Sequence, residues 1–404
     1  MPTPPDPRSA LPAVGATDAR RAVAGFVTLY AAIGALSPYL PVYYESLGLG
    51  LDTIGLLAAL YAGAAMVGAP AWGAAADRLG ESHPVMAIAA GAAAVASVAL
   101  GVVDGVLPIA IAALALAVTM SGVMPILDAR ALEISAARRS DYASMRVWGS
   151  GAYIGGVLLT GWVAAQLGPE AMFVVLAPTL VVTAIIGLGI RSRPPSPAVS
   201  RRQVLGAVLR DRRLVPFLAV VLLTWTASTT INAFFSIHLV DVGAPSWLVG
   251  VSWAIGAAVE IPLMLGFGRL LRRVGLDRLL LAGAALFVLR AAAVVVTDEP
   301  LVIAVSMLLH GGALALFLVG AVTYVGRHAP AGAATTAQGV LTATVFGLAQ
   351  VLGPGIGGLA AGSLGLRAMF LGAGVLSLVA LGTLAWLLAR SSEPAAAASS
   401  GPVA

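Results

Sequence analysis

Twelve long apolar segments constrain this sequence more than any other feature. They cover residues 22–44, 52–76, 84–103, 107–133, 143–166, 171–190, 214–240, 246–271, 277–297, 301–326, 334–362 and 367–390. A helix needs about 20 apolar residues to cross the hydrocarbon core of a bilayer. The sequence therefore predicts an all-α, polytopic membrane protein with twelve transmembrane helices in a lipid bilayer.

The composition agrees with a membrane protein. Hydrophobic residues make up 59% of the chain and the mean hydropathy is +0.97, whereas soluble domains are about 45–50% apolar. The pI is near 10.0, but the arginines lie between the apolar runs and form no basic stripe, so we expect no nucleic-acid partner. The chain has no cysteine, which excludes disulfides, thiolate metal sites and cysteine nucleophiles.

The arginine distribution predicts the orientation of the helices. With the N-terminus inside, nearly all arginines fall in cytoplasmic segments, and only Arg367 falls outside. This satisfies the positive-inside rule. Residues 1–21 do not show a charged n-region, an apolar h-region and a cleavage site in the order of a signal peptide. We predict that these residues form a disordered cytoplasmic tail, and that residues 391–404 form another. We therefore expect a multi-pass protein of the cell membrane with both termini in the cytoplasm.

An internal repeat divides the chain into two halves. LGPEAMF at residues 167–173 recurs as LGLRAMF at residues 364–370. Between the halves, residues 191–213 contain a Pro-Pro-Ser-Pro run that cannot continue a helix. We predict two pseudo-symmetric six-helix bundles, at residues 22–190 and 214–390, joined by a cytoplasmic linker. Repeats of this kind are typical of alternating-access carriers.

Ionisable residues inside the apolar segments indicate where function resides. The stretch Ser121–Gly156 contains Asp128 and Arg146, each within a predicted membrane helix. Such groups cost several kcal/mol in a membrane unless they are paired or wetted. They predict a binding site for a solute, or alternatively a structural ion pair between two helices. Arg130 and Glu133 are three residues apart, which favours a local pair.

The turn after the second segment resembles a known family signature. GAAADRLG at residues 73–80 is similar to the Gly-x-x-x-Asp-Arg motif of the major facilitator superfamily, and GFGRLLRRVG at residues 266–275 resembles its degenerate second copy. The resemblance implies that Gly73, Asp77 and Arg78 form a conformational gate. The alternative is an ordinary solvated turn.

The order of charged residues within the helices resembles the lactose-permease branch of proton symporters. RVWGSGAYIGG at residues 146–156 is also similar to phenylpropionate-permease-type carriers. The resemblance implies that substrate contacts Asp128, Arg146 and Tyr153.

The same resemblance implies that Glu260, Arg290 and His310 carry the proton. The sequence departs from the family pattern at Ala313, where a second carboxylate is expected. Either Glu260 alone then carries the proton, or coupling to protons is absent. Packing or snorkelling of Arg290, and a neutral His310 bonded to a backbone carbonyl, are the alternatives. On the seventh helix, Asn232 is a candidate substrate-binding residue.

Motifs for other function classes are missing from the sequence. It contains no HExxH, GxSxG or Walker A pattern, so we expect no enzyme activity, no metal, no cofactor and no direct use of ATP. We expect a monomeric carrier that couples protons to the uptake of a sugar, a nucleoside or an aromatic carboxylate. The alternative is proton-driven export of amphipathic drugs or metabolites, since Gly353–Gly358 matches the Gly-Pro-x-x-Gly-Gly motif of drug:proton antiporters, although on a different helix.

Overall fold

The computed structural model describes residues 16–79, 83–138, 142–190 and 201–397. Throughout these residues the regular structure is helical, without a β-strand. The helices are α1 (Ala16–Leu36), α2 (Leu40–Ser46), α3 (Leu51–Leu79), α4 (His83–Leu100), α5 (Val106–Met120), α6 (Val123–Arg138), α7 (Tyr142–Leu167), α8 (Met172–Gly187), α9 (Arg201–Val208), α10 (Leu214–Asp241), α11 (Ser246–Val274), α12 (Leu276–Val296), α13 (Pro300–Val305), α14 (Met307–His328), α15 (Ala334–Ala343), α16 (Ala349–Leu364) and α17 (Leu366–Ala397). A 3₁₀ turn covers Pro169–Ala171, and a π-helical turn covers Thr344–Leu348.

The helices have the lengths that membrane spans require. Among the described residues, eleven helical segments are long and apolar enough to cross a bilayer, judged by length and composition. A shorter apolar helix, Pro84–Leu100, lies where the third span is predicted. The all-α polytopic fold is confirmed, and these segments agree with the predicted twelve helices.

Two predicted spans contain a break in the helix. Residues 22–44 divide into α1 and α2 around Pro38, because proline has no N–H to continue the hydrogen-bond ladder. Residues 107–133 divide into α5 and α6 at Ser121 and Gly122. At this second break the indole Nε1 of Trp72 donates to the Val118 carbonyl at 2.7 Å. The indole of α3 thereby satisfies a carbonyl near the break that precedes Asp128.

The repeated sequence adopts a repeated backbone conformation. Gly168 and Gly365, from the two copies of the LGxxAMF sequence, have φ/ψ angles of 93°/168° and 85°/162°. Residues that carry a Cβ atom rarely adopt this conformation. The matching turns therefore support an internal duplication at the level of structure.

The chain forms two compact units. One comprises Met1–Ser37 and Ala64–Ser196, and the other comprises Pro38–Gly63 and Pro197–Ala404. These boundaries differ from the predicted bundles, because residues 38–63 group with the carboxy-terminal half. Within that second unit Gly55 lies against Gly358, and a Cβ atom on either glycine would meet the backbone of the other helix. The close approach of α3 to α16 is thus possible only without side chains at these positions.

Glycines in α16 serve helix packing in the second unit. Gly353 and Gly357 lie against the side chains of Thr229 and Thr230. The hydroxyl of Thr229 donates to the Ala349 carbonyl at 2.9 Å, and that of Thr230 donates to the Gly353 carbonyl at 2.9 Å. The Gly-Pro-x-x-Gly-Gly sequence therefore joins α10 to α16 through small residues and hydroxyls, as in other membrane helix interfaces.

The helices extend into segments that were expected to be tails or linker. α1 begins at Ala16, where Asp18 lies in the first turn and interacts favourably with the helix dipole. α9 occupies part of the expected linker, and α17 continues through an alanine run to Ala397, since alanine is the best helix former. The remaining parts of these predictions, residues 1–15, 191–200 and 398–404, lie outside the described residues.

Candidate functional site

A cluster around Asp128 and Arg146 forms the polar centre of the first unit. α6 carries Asp128 and α7 carries Arg146, whose Nη1 atom lies 3.9 Å from Asp128 Oδ1. The Arg146 guanidinium also lies 5.2 Å from the ring centroid of Tyr30 on α1, which allows a cation–π interaction. The helices approach closely here because Gly149 of α7 lies directly against the Tyr30 ring. The two predicted residues are therefore brought together.

Tyr142 shares the carboxylate of this cluster. Its hydroxyl donates to Asp128 Oδ1 at 2.6 Å. Tyr142 precedes the membrane span Ser144–Leu167, and burial together with this hydrogen bond raises the pKa of its phenol above the ordinary value. The phenol therefore stays protonated at neutral pH and remains a hydrogen-bond donor to Asp128.

The cluster is open enough to contact a solute. The side chains of Arg146 and Asp128 are 40% and 33% exposed, although both belong to membrane helices. Their separation is at the outer limit of an ion pair, and both groups retain unused hydrogen-bonding capacity. The arrangement offers a cation, an anion and an aromatic face side by side.

A second ion pair on α6 is local. Arg130 Nη1 lies 3.0 Å from Glu133 Oε2, and its Nη2 lies 3.4 Å from Asp18 Oδ1. The structure agrees with the interpretation of Arg130 and Glu133 as a local pair, which also holds the first turn of α1. This pair is distinct from the Asp128–Arg146 cluster.

In the second unit, Arg290 is the centre of a buried polar cluster. Its side chain is 0% exposed. Nη1 donates to Asn232 Oδ1 at 2.7 Å and to His310 Nδ1 at 3.1 Å, while Nη2 contacts the Met307 sulfur at 3.4 Å. The guanidinium carbon lies 5.3 Å from the ring centroid of Phe235. Three predicted residues from α10, α12 and α14 are thus in direct contact.

His310 is held between aromatic rings. It is 7% exposed, and its ring centroid lies 6.3 Å from those of Trp253 and Phe287. α11 and α14 approach each other at Gly256 and Gly311, where a Cβ atom on Gly311 would meet the Gly256 carbonyl. This close contact between the two glycines places the Trp253 side chain of α11 beside the His310 imidazole.

The remaining predicted residues lie on α3, α7 and α11. Tyr153 is half-buried in α7, and Glu260 is half-buried near the middle of α11, two residues before Pro262. Asp77 and Arg78 are exposed in the last turn of α3, and Gly73 has open space around its α-carbon. The described part of the chain holds no group of three or more His, Asp or Glu residues suited to a metal ion.

Several contributing residues were missed from the sequence. Tyr142 stands directly after the basic turn within the Ser121–Gly156 stretch, so its position offered a signal. Tyr30, Met307 and Trp253 gave none, because each is one apolar or aromatic residue among many in a hydrophobic helix. Their participation follows from the packing of helices that are distant in sequence.

Comparison with known proteins identifies the family. A profile of the MFS_1 like family matches residues 23–372. The chain belongs to the MFS_1 like family. It is therefore a multi-pass membrane transporter of the major facilitator type and is not an enzyme, which agrees with the GAAADRLG signature.

Proteins similar to this chain are named for different solutes. The chain is 26% identical over 326 residues to a maltose permease of Geobacillus stearothermophilus, covering 80% of this chain and 82% of the relative. It is 27% identical over 314 residues to a probable 3-phenylpropionic acid transporter of Escherichia coli (strain K12), covering 74% and 80%. The crystal structure of nucleoside transporter NupG superposes with a TM-score of 0.79 at 16% identity, covering 92% of this chain and 99% of that chain. This last similarity shows the fold alone.

Proposed function

We propose that this member of the MFS_1 like family is a proton-coupled symporter that takes up a small organic solute. The observation that carries the proposal is the half-exposed Asp128–Arg146 cluster with the Tyr30 ring beside it. Carboxylate, guanidinium and aromatic groups together suit hydrogen bonding and stacking with a polar ring compound. Sugars, nucleosides and aromatic carboxylates all have this chemistry, and relatives named for a sugar and for an aromatic carboxylic acid support two of these classes.

Glu260 is the proton-carrying group in this proposal. It lies near the middle of α11, a helix that crosses the membrane. A carboxyl group at this depth is costly when charged, so loading and release of a proton can be linked to solute movement. During alternating access, the turn at Gly73, Asp77 and Arg78 acts as the gate that opens the solute site to one side of the membrane at a time. Tyr153 lines the solute site. The transporter works as a monomer in the cell membrane, with both termini in the cytoplasm.

Transport by purified protein in proteoliposomes tests the proposal. Radiolabelled maltose, uridine and 3-phenylpropanoate represent the three solute classes. We expect uptake of at least one of them, driven by an inward proton gradient and abolished by a protonophore. Solute movement that is indifferent to the gradient would establish a uniporter, and solute efflux driven by proton entry would establish an exporter.

A further inference from the structure

The hydrogen bonds of Arg290 fix the orientation of two neighbouring side chains. An arginine guanidinium only donates hydrogen bonds. The Asn232 atom at 2.7 Å from Arg290 is therefore the amide oxygen, and the amide NH₂ group points away. For the same reason His310 accepts through Nδ1 at 3.1 Å, so the neutral ring carries its proton on Nε2. Arg290 thus turns Asn232 and His310 into hydrogen-bond donors on their far sides.

Both of these donor atoms reach accessible space. Neither Asn232 Nδ2 nor His310 Nε2 has a hydrogen-bond partner among the described residues. The buried side-chain atoms that lack a partner in this part of the chain include Arg290 Nε but neither of these two nitrogens. Each nitrogen therefore keeps some exposed surface beside a buried cation, and its N–H remains available to an oxygen acceptor.

The charge of Arg290 determines which kind of ligand oxygen the two donors, Asn232 Nδ2 and His310 Nε2, would prefer. Its hydrogen-bonding partners are an amide oxygen, an imidazole nitrogen and a thioether sulfur. Within the described part of the chain, no ion pair of 4.0 Å or less joins Arg290 to a carboxylate. A fully buried cation without a negative partner is costly. A negatively charged oxygen at the two donors would offset that cost, whereas a neutral hydroxyl or amide oxygen would offset less of it.

We propose that Arg290 is a positioning residue for a carboxylate subsite made by Asn232 Nδ2 and His310 Nε2. The proposal rests on the function proposed above and narrows its solute to an organic carboxylate. The rings of Trp253 and Phe287 around His310 suit an apolar group attached to that carboxylate. In this arrangement His310 is a neutral donor and does not carry the transported proton, which departs from the role that the sequence suggested.

Ligand binding by the wild-type protein is the first test. Purified full-length protein is titrated calorimetrically with 3-phenylpropanoate, 3-phenylpropanamide, maltose and uridine. We expect 3-phenylpropanoate to bind at least tenfold more tightly than its amide. Equal affinity for the acid and the amide, or no binding of the acid, would overturn the inference. Binding without transport of any probe would instead overturn the proposed function and leave the subsite standing.

Variants that preserve shape separate positioning from packing. Asn232→Asp replaces a donor with an acceptor, and Arg290→Lys removes the planar guanidinium whose Nη1 donates to both Asn232 and His310. Each variant should reduce the acid-to-amide preference at least tenfold. His310→Gln preserves an oxygen toward Arg290 and a donor on the other side, so it should lose less affinity than His310→Leu. Arg390→Lys is the matched control, since Arg390 lies 4.4 Å from the Trp386 ring centroid and is exposed. Equal loss of affinity for all four probes in the Asn232 and Arg290 variants would show a structural role and overturn the inference.

Discussion

Arg146 Nη1 lies 3.9 Å from Asp128 Oδ1, and the Tyr142 hydroxyl donates to the same oxygen at 2.6 Å. The shorter contact of Asp128 is thus with the neutral phenol of Tyr142, and its contact with the Arg146 guanidinium is long. A tight structural pair would have an N–O distance of about 2.7–2.9 Å. Because the two charges are close but not locked together, they are suited to receive a solute between them.

Neutralising either charge of this pair should impair solute binding. Asp128→Asn and Arg146→Gln each remove a charge-assisted contact, which contributes about 1.5–3 kcal/mol and corresponds to a roughly 10- to 150-fold loss of affinity. The measurement is the Kd of the transported solute on purified protein. Glu133→Gln is the matched control, since Glu133 is a carboxylate on the same helix that pairs with Arg130 instead.

A charge swap distinguishes binding from structure at these positions. If Asp128→Arg combined with Arg146→Asp restored transport, and each single variant failed to express, the pair would be structural. We expect the single variants to be inserted and folded, and the swapped protein to remain unable to bind. The folded fraction is measured by size-exclusion chromatography in detergent.

Removing the ionisable group of Glu260 should uncouple transport from protons. Glu260→Gln resembles a permanently protonated side chain, so exchange of solute across the membrane should persist while uphill accumulation disappears. Both are measured in proteoliposomes, together with solute-induced alkalinisation. Glu299→Gln, an exposed position at the start of α13, should leave accumulation intact. Accumulation by Glu260→Gln equal to that of the wild type would assign the residue to packing.

A methyl group at Gly311 should destabilise the second unit. Its Cβ atom would meet the Gly256 carbonyl of α11, and such overpacking costs about 1–3 kcal/mol. Thermal unfolding in detergent should show a lower midpoint for Gly311→Ala. The control is Gly326→Ala in the same helix, where the nearest atom, Gln338 Nε2, is at an ordinary contact distance of 3.5 Å and alanine favours the helix. A midpoint unchanged by Gly311→Ala would contradict the tight contact between α11 and α14.

The orientation of the chain is testable with reporter fusions. The arginine distribution predicts cytoplasmic signals at Arg202 and Ser392 and an external signal at Asp241. Each position is fused to alkaline phosphatase, which is active outside the cytoplasm, and separately to a fluorescent protein, which fluoresces in the cytoplasm. A cytoplasmic signal at Asp241 would contradict the predicted alternation of the helices.

Local features of the fold were predictable from the sequence. The membrane spans follow from runs of apolar residues, and Arg130 and Glu133 pair because residues three apart share one helix face. The glycine turns at Gly168 and Gly365 are evident as a sequence repeat, since only glycine tolerates that backbone conformation. In each case the determining interaction lies within one helix or one turn.

Only the tertiary structure determined which polar residues of the membrane helices contact one another. Asn232, Arg290 and His310 come from three helices that are far apart in the sequence, and no periodicity relates their registers. Their contact depends on how α10, α12 and α14 rotate and approach one another, which small residues such as Gly256 and Gly311 permit. The sequence determined that charges would lie inside membrane helices. The packing of those helices determined that Arg290 donates to an amide and an imidazole, because a hydrogen bond requires a distance and direction that only the assembled helices provide.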